Sequence, residues 1–240
     1  MDFNNVWSVA LKDIETYKQK KSIIYSTLIL PIIVSALFSF TVKNQIVPSP
    51  EYQLGLQSLT YFFVVLAAIL PSAIAAYSMV GEKIEKSLEP LLATPMSDGE
   101  ILLGKSIAAF LLPILAVWAG ATIFMMATDY LMFNSLGYYY FPNWNAGVML
   151  LLLAPLAAMF SIEFVVIISS RVSDVRSANQ LGMLLLIPFA LVFIAGVTGV
   201  ITFEISNLLI FSLFLIIVDI ALFLLSKSTF KREEILTKWK

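Results

Sequence analysis

The run Ser58-Leu59-Thr60-Tyr61-Phe62-Phe63-Val64-Val65-Leu66-Ala67-Ala68-Ile69-Leu70-Pro71-Ser72-Ala73-Ile74-Ala75-Ala76-Tyr77-Ser78-Met79-Val80 carries no charge. It stops at Gly81-Glu82-Lys83-Ile84-Glu85-Lys86. A helix rises about 1.5 Å per residue and the hydrocarbon of a bilayer is about 30 Å thick, so about 20 consecutive apolar residues suffice to cross it. An uninterrupted run of this kind reads as a membrane-spanning helix, since a barrel strand would alternate apolar and polar residues over about 10 positions.

Five more runs of this type flank it. The spans are predicted near 23–42, 58–80, 101–128, 146–169, 178–201 and 205–225, the third long enough to tilt or to extend past the membrane. The 240 residues are 60% hydrophobic and only 13% charged, with a mean hydropathy of +0.91. A water-soluble domain is excluded by that balance. The fold class is therefore all-α: one polytopic membrane domain over 1–240, with no long linker, low-complexity tract or internal repeat.

Of the 15 Lys and Arg, all but Lys43 fall before the first span, in or beside the second connection (Lys105 in the opening turns of the third span), in the fourth connection, or in the C-terminal tail. By the positive-inside rule both termini are cytoplasmic. The third connection, 129–144, has no basic residue and is dense in Tyr, Phe and Trp. That composition predicts a headgroup-level aromatic belt, with a ligand-binding aromatic platform as the alternative. Residues 1–22 precede the first apolar run, which is too long for a cleavable signal core and is read as the first span. Within them Trp7, Ala10, Leu11, Ile14 and Tyr17 recur at three- and four-residue intervals. An amphipathic helix is expected there, lying in the cytoplasmic interface or packed as a cap on a partner.

The chain has no Cys and no His, which removes disulfides, thiolate metal sites, thiol catalysis and the commonest metal ligand and general base. Metalloprotease and Cys/His hydrolase chemistry are excluded. Two acids lie inside spans, Glu163 and Asp219, each eight residues before the next base, Arg171 and Lys227, and so about 12 Å inside that boundary. A charge in hydrocarbon costs several kcal/mol, so each is expected to face the bundle and to have a partner or a proton. They are candidates for a translocation path; the alternative is a structural pairing with Lys105 or with hydroxyl and amide groups that locks helices together. Prolines at 31, 71, 113, 155 and 188 predict kinks, whose freed carbonyls neighbouring helices can satisfy.

The charged insert, 81–100, has local structure of its own. Ser97 and Glu100 form a capping-box pair, so the third span should begin near Asp98. Upstream, Leu88, Leu91 and Leu92 share one face of about two helical turns bounded by Ser87 and Pro95, with Pro90 in the first turn. So short a helix is marginal in water and must lean on something, either a groove on another protein or the bilayer surface. Gly99 to Ser106 matches the Walker A pattern letter by letter. A P-loop, however, follows a buried strand and curls around phosphate, whereas these residues follow a helix cap and run into an apolar helix.

From Gly81-Glu82-Lys83 through Ser87-Leu88-Glu89-Pro90-Leu91-Leu92-Ala93-Thr94-Pro95 to Glu100-Ile101-Leu102-Leu103-Gly104-Lys105, the insert resembles the membrane subunits of ABC-2 type transporters. The six spans, cytoplasmic termini and amphipathic leading helix are similar to that family too. The resemblance implies a permease with no ATP site of its own. It would work as a dimer of such subunits, either two copies or a pair with a similar permease, on two ATPase subunits that hold ATP and Mg²⁺. It implies a plasma-membrane exporter of an amphipathic, lipid-like or drug-like substrate, and no nucleic-acid partner. It also implies that 87–94 is a coupling helix docking on the ATPase, with Glu82, Ser87, Leu88, Glu89, Pro90, Leu91, Leu92, Thr94 and Pro95 as the coupling residues. The chain departs from larger members in having no large domain between spans one and two. Asp98 stands where a base often follows. An alternative function is an ion-coupled secondary transporter or channel that uses Glu163 and Asp219. A membrane-embedded enzyme is disfavoured, because no acid, base and nucleophile share a depth.

Overall fold

A computed structural model describes residues 2–44, 50–81, 84, 96–169, 172 and 174–229. Among them there is no strand, and six helical segments are long and apolar enough to cross a membrane. Helix α1 (Phe3–Gln19) leads. It is followed by α2 (Lys21–Asn44) and by α3 (Pro50–Ala76), which runs into one π-helical turn, Tyr77–Gly81. Helix α4 spans Asp98–Leu136. The fourth span is a rod of three pieces, α5 (Trp144–Val148), a π turn (Met149–Leu153) and α6 (Ala154–Ser169). The fifth is α7 (Val175–Met183) and α8 (Leu186–Val197), and the sixth is α9 (Ile205–Thr229).

Two spans outrun their apolar cores. Helix α3 begins at Pro50 rather than near Ser58, because Tyr52 and Leu56 are buried on the bundle and the Tyr52 hydroxyl donates to the Met132 sulfur at 2.8 Å. Helix α4 has 39 residues, about 58 Å, nearly twice the hydrocarbon thickness. It starts where the capping box placed it: the Glu100 amide donates to Ser97 Oγ at 3.4 Å and the Ser97 amide donates to Glu100 Oε2 at 2.8 Å. It ends at Gly137, whose φ of 73° suits the left-handed cap and whose amide donates to the Phe133 carbonyl.

Proline accounts for the irregular stretches of the fourth and fifth spans. Pro188 cannot donate to the Leu184 carbonyl, and the fifth span breaks in that turn. Leu184, Leu185 and Ile187 donate instead to carbonyls three residues back. In the fourth span the Ala154 amide donates five residues back to Met149, so in the same register Pro155 would have served the Leu150 carbonyl. The Trp118 indole of α4 donates to that carbonyl at 2.7 Å, which is the neighbour-supplied compensation expected at an intramembrane proline.

Helix α3 is the hub, packing on α4, α6, α7 and α8, and its middle turns around Tyr61, Phe63, Val64 and Ala67 are fully buried. Helices α2, α8 and α9 lie at the rim with most of their apolar side chains on the outer surface. Only 198–204 separates α8 from α9. The aromatic connection 129–144 leaves Tyr130, Tyr139 and Trp144 exposed, while Asp129 accepts the Tyr140 and Phe141 amides.

Helix α1 is amphipathic, but its packed face differs from the one the spacing suggests. Val6, Val9, Ala10, Asp13 and Tyr17 are buried, whereas Trp7 and Leu11 are exposed. The helix lies on α4 of its own chain. It approaches so closely at Gly104 that a Cβ there would sit 2.7 Å from both the Val6 carbonyl and Val9 Cβ.

Candidate functional site

The residues around the charged insert form a frame. Asp13 of α1, Ser78 of the π turn and Lys105 of α4 meet in a pocket that excludes water. Lys105 Nζ is 3.1 Å from Asp13 Oδ2, and it donates to the Ser78 carbonyl at 3.3 Å and to Ser78 Oγ at 3.2 Å. The Ser78 hydroxyl in turn donates to Asp13 Oδ2 at 2.9 Å. An ammonium has three protons and each finds an oxygen, the condition under which a buried pair is tolerated. The alternative pairing of Lys105 with Glu163 or Asp219 is therefore corrected: its acid is Asp13, contributed by the leading helix.

A second link lies one helical turn closer to the insert. The Asp2 amide donates to Glu100 Oε1 at 2.6 Å, so one carboxylate serves both the start of α1 and the cap of α4. At the other end of α1, Lys20 Nζ sits 5.2 Å from the Tyr77 ring centroid in the π turn. Gly81 closes the turn with its Cα against that ring. Both flanks of 82–95, the π turn before it and the first turns of α4 after it, are thus tied to α1. The predicted coupling residues Glu82, Ser87, Leu88, Glu89, Pro90, Leu91, Leu92, Thr94 and Pro95 themselves lie outside the described residues.

The Walker-like stretch is helical throughout. Gly104 packs against α1, Lys105 is engaged by Asp13, and Ser106 is buried. Its amides belong to the helix, so they cannot cradle a phosphate.

The two membrane acids come together. Glu163 of α6 is buried and accepts from the Ser226 hydroxyl of α9 at 2.9 Å. Asp219, two turns before Ser226 on α9, lies within electrostatic range of Glu163, and both its carboxylate oxygens are buried with no hydrogen-bond partner among the described residues. Ser226 Oγ is also 3.0 Å from the Phe223 carbonyl. One hydroxyl has one proton to give, so Ser226 shares it between the Glu163 carboxyl and the Phe223 carbonyl.

Asp13, Ser78 and Ser226 were missed from sequence. Asp13 had a readable signal: it occupies an apolar stripe with Val6, Val9, Ala10 and Tyr17, where an acid needs a buried base. Nothing local marked the two serines.

Six helices able to cross a membrane, with the residues on both sides of 82–95 tied to α1, define a polytopic membrane protein. The family model described as ABC-2 type transporter matches residues 4–198, and the chain belongs to that family. It is the transmembrane permease component of such a transporter, a multi-pass membrane protein. Comparison with curated proteins gave no match.

Proposed function

We propose that this permease is the membrane half of an ATP-driven exporter of an amphipathic, lipid-like or drug-like substrate, powered by a separate ATPase that docks on the helix at 87–94. ATP and Mg²⁺ reside on that partner, a second permease copy or a similar permease completes the assembly, and both termini face the cytoplasm across the plasma membrane. The observation that carries the reading is the frame: Asp13, Ser78 and Lys105 tie the residues on both sides of 82–95 to α1. A docking segment held by rigid flanks passes a push from its partner into α3 and α4 instead of absorbing it. Purifying the full chain from native membranes and identifying what accompanies it is the test. A soluble subunit with a functional P-loop is expected; a chain that purifies alone yet transports would defeat the proposal.

The placement of Glu163 and Asp219 on the adjoining helices α6 and α9 favours one second reading, coupling to protons or cations at that site. Glu163→Gln keeps a hydrogen-bonding partner for Ser226 while removing the titratable group. The ATP-driven reading expects this variant to transport at close to the native rate, and gradient-dependent transport abolished by it would favour the second reading instead.

A further inference from the structure

We propose that the cavity between α3, α8, the 198–204 turn and α9 is a binding site for one acyl chain of a membrane lipid, a resident ligand whatever drives transport. The cavity holds about 370 Å³, within the range of small-ligand sites, and is lined almost wholly by apolar side chains. Its wall is aromatic: Tyr61 stacks on Phe203 with centroids 5.0 Å apart, and Phe211 stacks on Phe214 at 6.5 Å. Phe203 packs directly on Gly196, which leaves no room for a Cβ there, so the turn is pressed inward beside the hollow.

The polar lining is sparse: Thr202, Asn207 and the buried Tyr61 hydroxyl. Thr202 and Asn207 stand at the mouth, with Asn207 Nδ2 donating to the Thr202 carbonyl at 3.0 Å and to its hydroxyl at 3.4 Å. From Asn207 to Phe214 is seven residues of α9, about 10 Å of depth into the membrane. An apolar slot of that depth, with the Thr202 hydroxyl at one end keeping a proton to donate, has the shape of a chain with its ester carbonyl at Thr202. The exposed Glu204 beside the mouth disfavours a free carboxylate and suits a headgroup bearing an ammonium.

The test uses the full chain in nanodiscs containing phosphatidylethanolamine with a photoreactive group midway along one chain, and in parallel a photoreactive fatty acid. Labelling is expected to concentrate on residues 203–214, with the phospholipid labelling more than the fatty acid; stronger labelling by the fatty acid would keep the slot and reassign the source of its chain. Val192→Trp, which fills the slot from α8, should lower that labelling about tenfold, as exclusion of roughly two methylenes predicts. Leu208→Trp serves as a second filler if the first fails to fold. Label spread evenly over α2, α8 and α9, label unchanged by both fillers, or a cross-link showing this surface covered by a second copy would each overturn the assignment.

Discussion

Lys105 is the residue on which the proximal end of the bundle turns. Its ammonium has no exposed surface, and the neighbours that satisfy it come from two elements far apart in sequence. Removing one member of such a pair strands the other charge, at about 3–5 kcal/mol, whereas replacing both with apolar groups is close to neutral. Lys105→Met should therefore lower thermal stability in detergent severely, and adding Asp13→Leu to it should restore most of the loss. A Lys105→Met variant as stable as the native chain would show that the ion pair does not brace the frame. The partner of Lys105 was not legible in the sequence: a base in a membrane helix announces that it needs an acid, but Asp13 is separated from it by 92 positions, and Glu163 and Asp219 were equally plausible on composition alone.

At the scale of elements, the sequence was most informative where physics is local. The six apolar runs and the Ser97–Glu100 box needed no knowledge of distant neighbours, and both stand where they were read. The start of the second span was less legible, since Tyr52 and Leu56 are helical because they pack, not because they are lipid-soluble. Helix α1 shows the limit most clearly. Periodicity revealed that it has an apolar side, yet two apolar stripes overlap on it, and only the close approach at Gly104 decides that Val6 and Val9 rather than Trp7 and Leu11 face α4. Gly104→Leu would force that contact apart, with overpacking worth about 1–3 kcal/mol. Because the chain has no cysteine, a single Cys at Val9 reports the displacement. It should resist thiol reagents in the native background and react readily with Gly104→Leu, while equal reactivity in both would mean that α1 is not seated on α4.

For the whole molecule, the central helix α3 and the rim helices α2, α8 and α9 describe a bundle organised around its second span. Its orientation rests on the distribution of basic residues along the sequence, which favours the side of the N-terminus, and on the exposed aromatic residues of the third connection. Tyr139→Cys, an exposed position in that connection, should be labelled in intact cells by a membrane-impermeant thiol reagent, and Ser8→Cys in α1 should be labelled only after the membrane is opened. The reverse pattern would invert the topology and place the insert at 81–100 beyond the reach of a cytoplasmic ATPase.

The central claim is that another protein's ATP hydrolysis enters this permease through the Leu-rich face of 87–94. The most direct measurement is co-purification of the ATPase with the full chain carrying Leu92→Asp, at matched membrane levels. A buried charge on the docking face should reduce recovery of the partner at least tenfold, equivalent to about 1.4 kcal/mol, and ATP-dependent transport with it. Undiminished complex and undiminished transport would contradict the account.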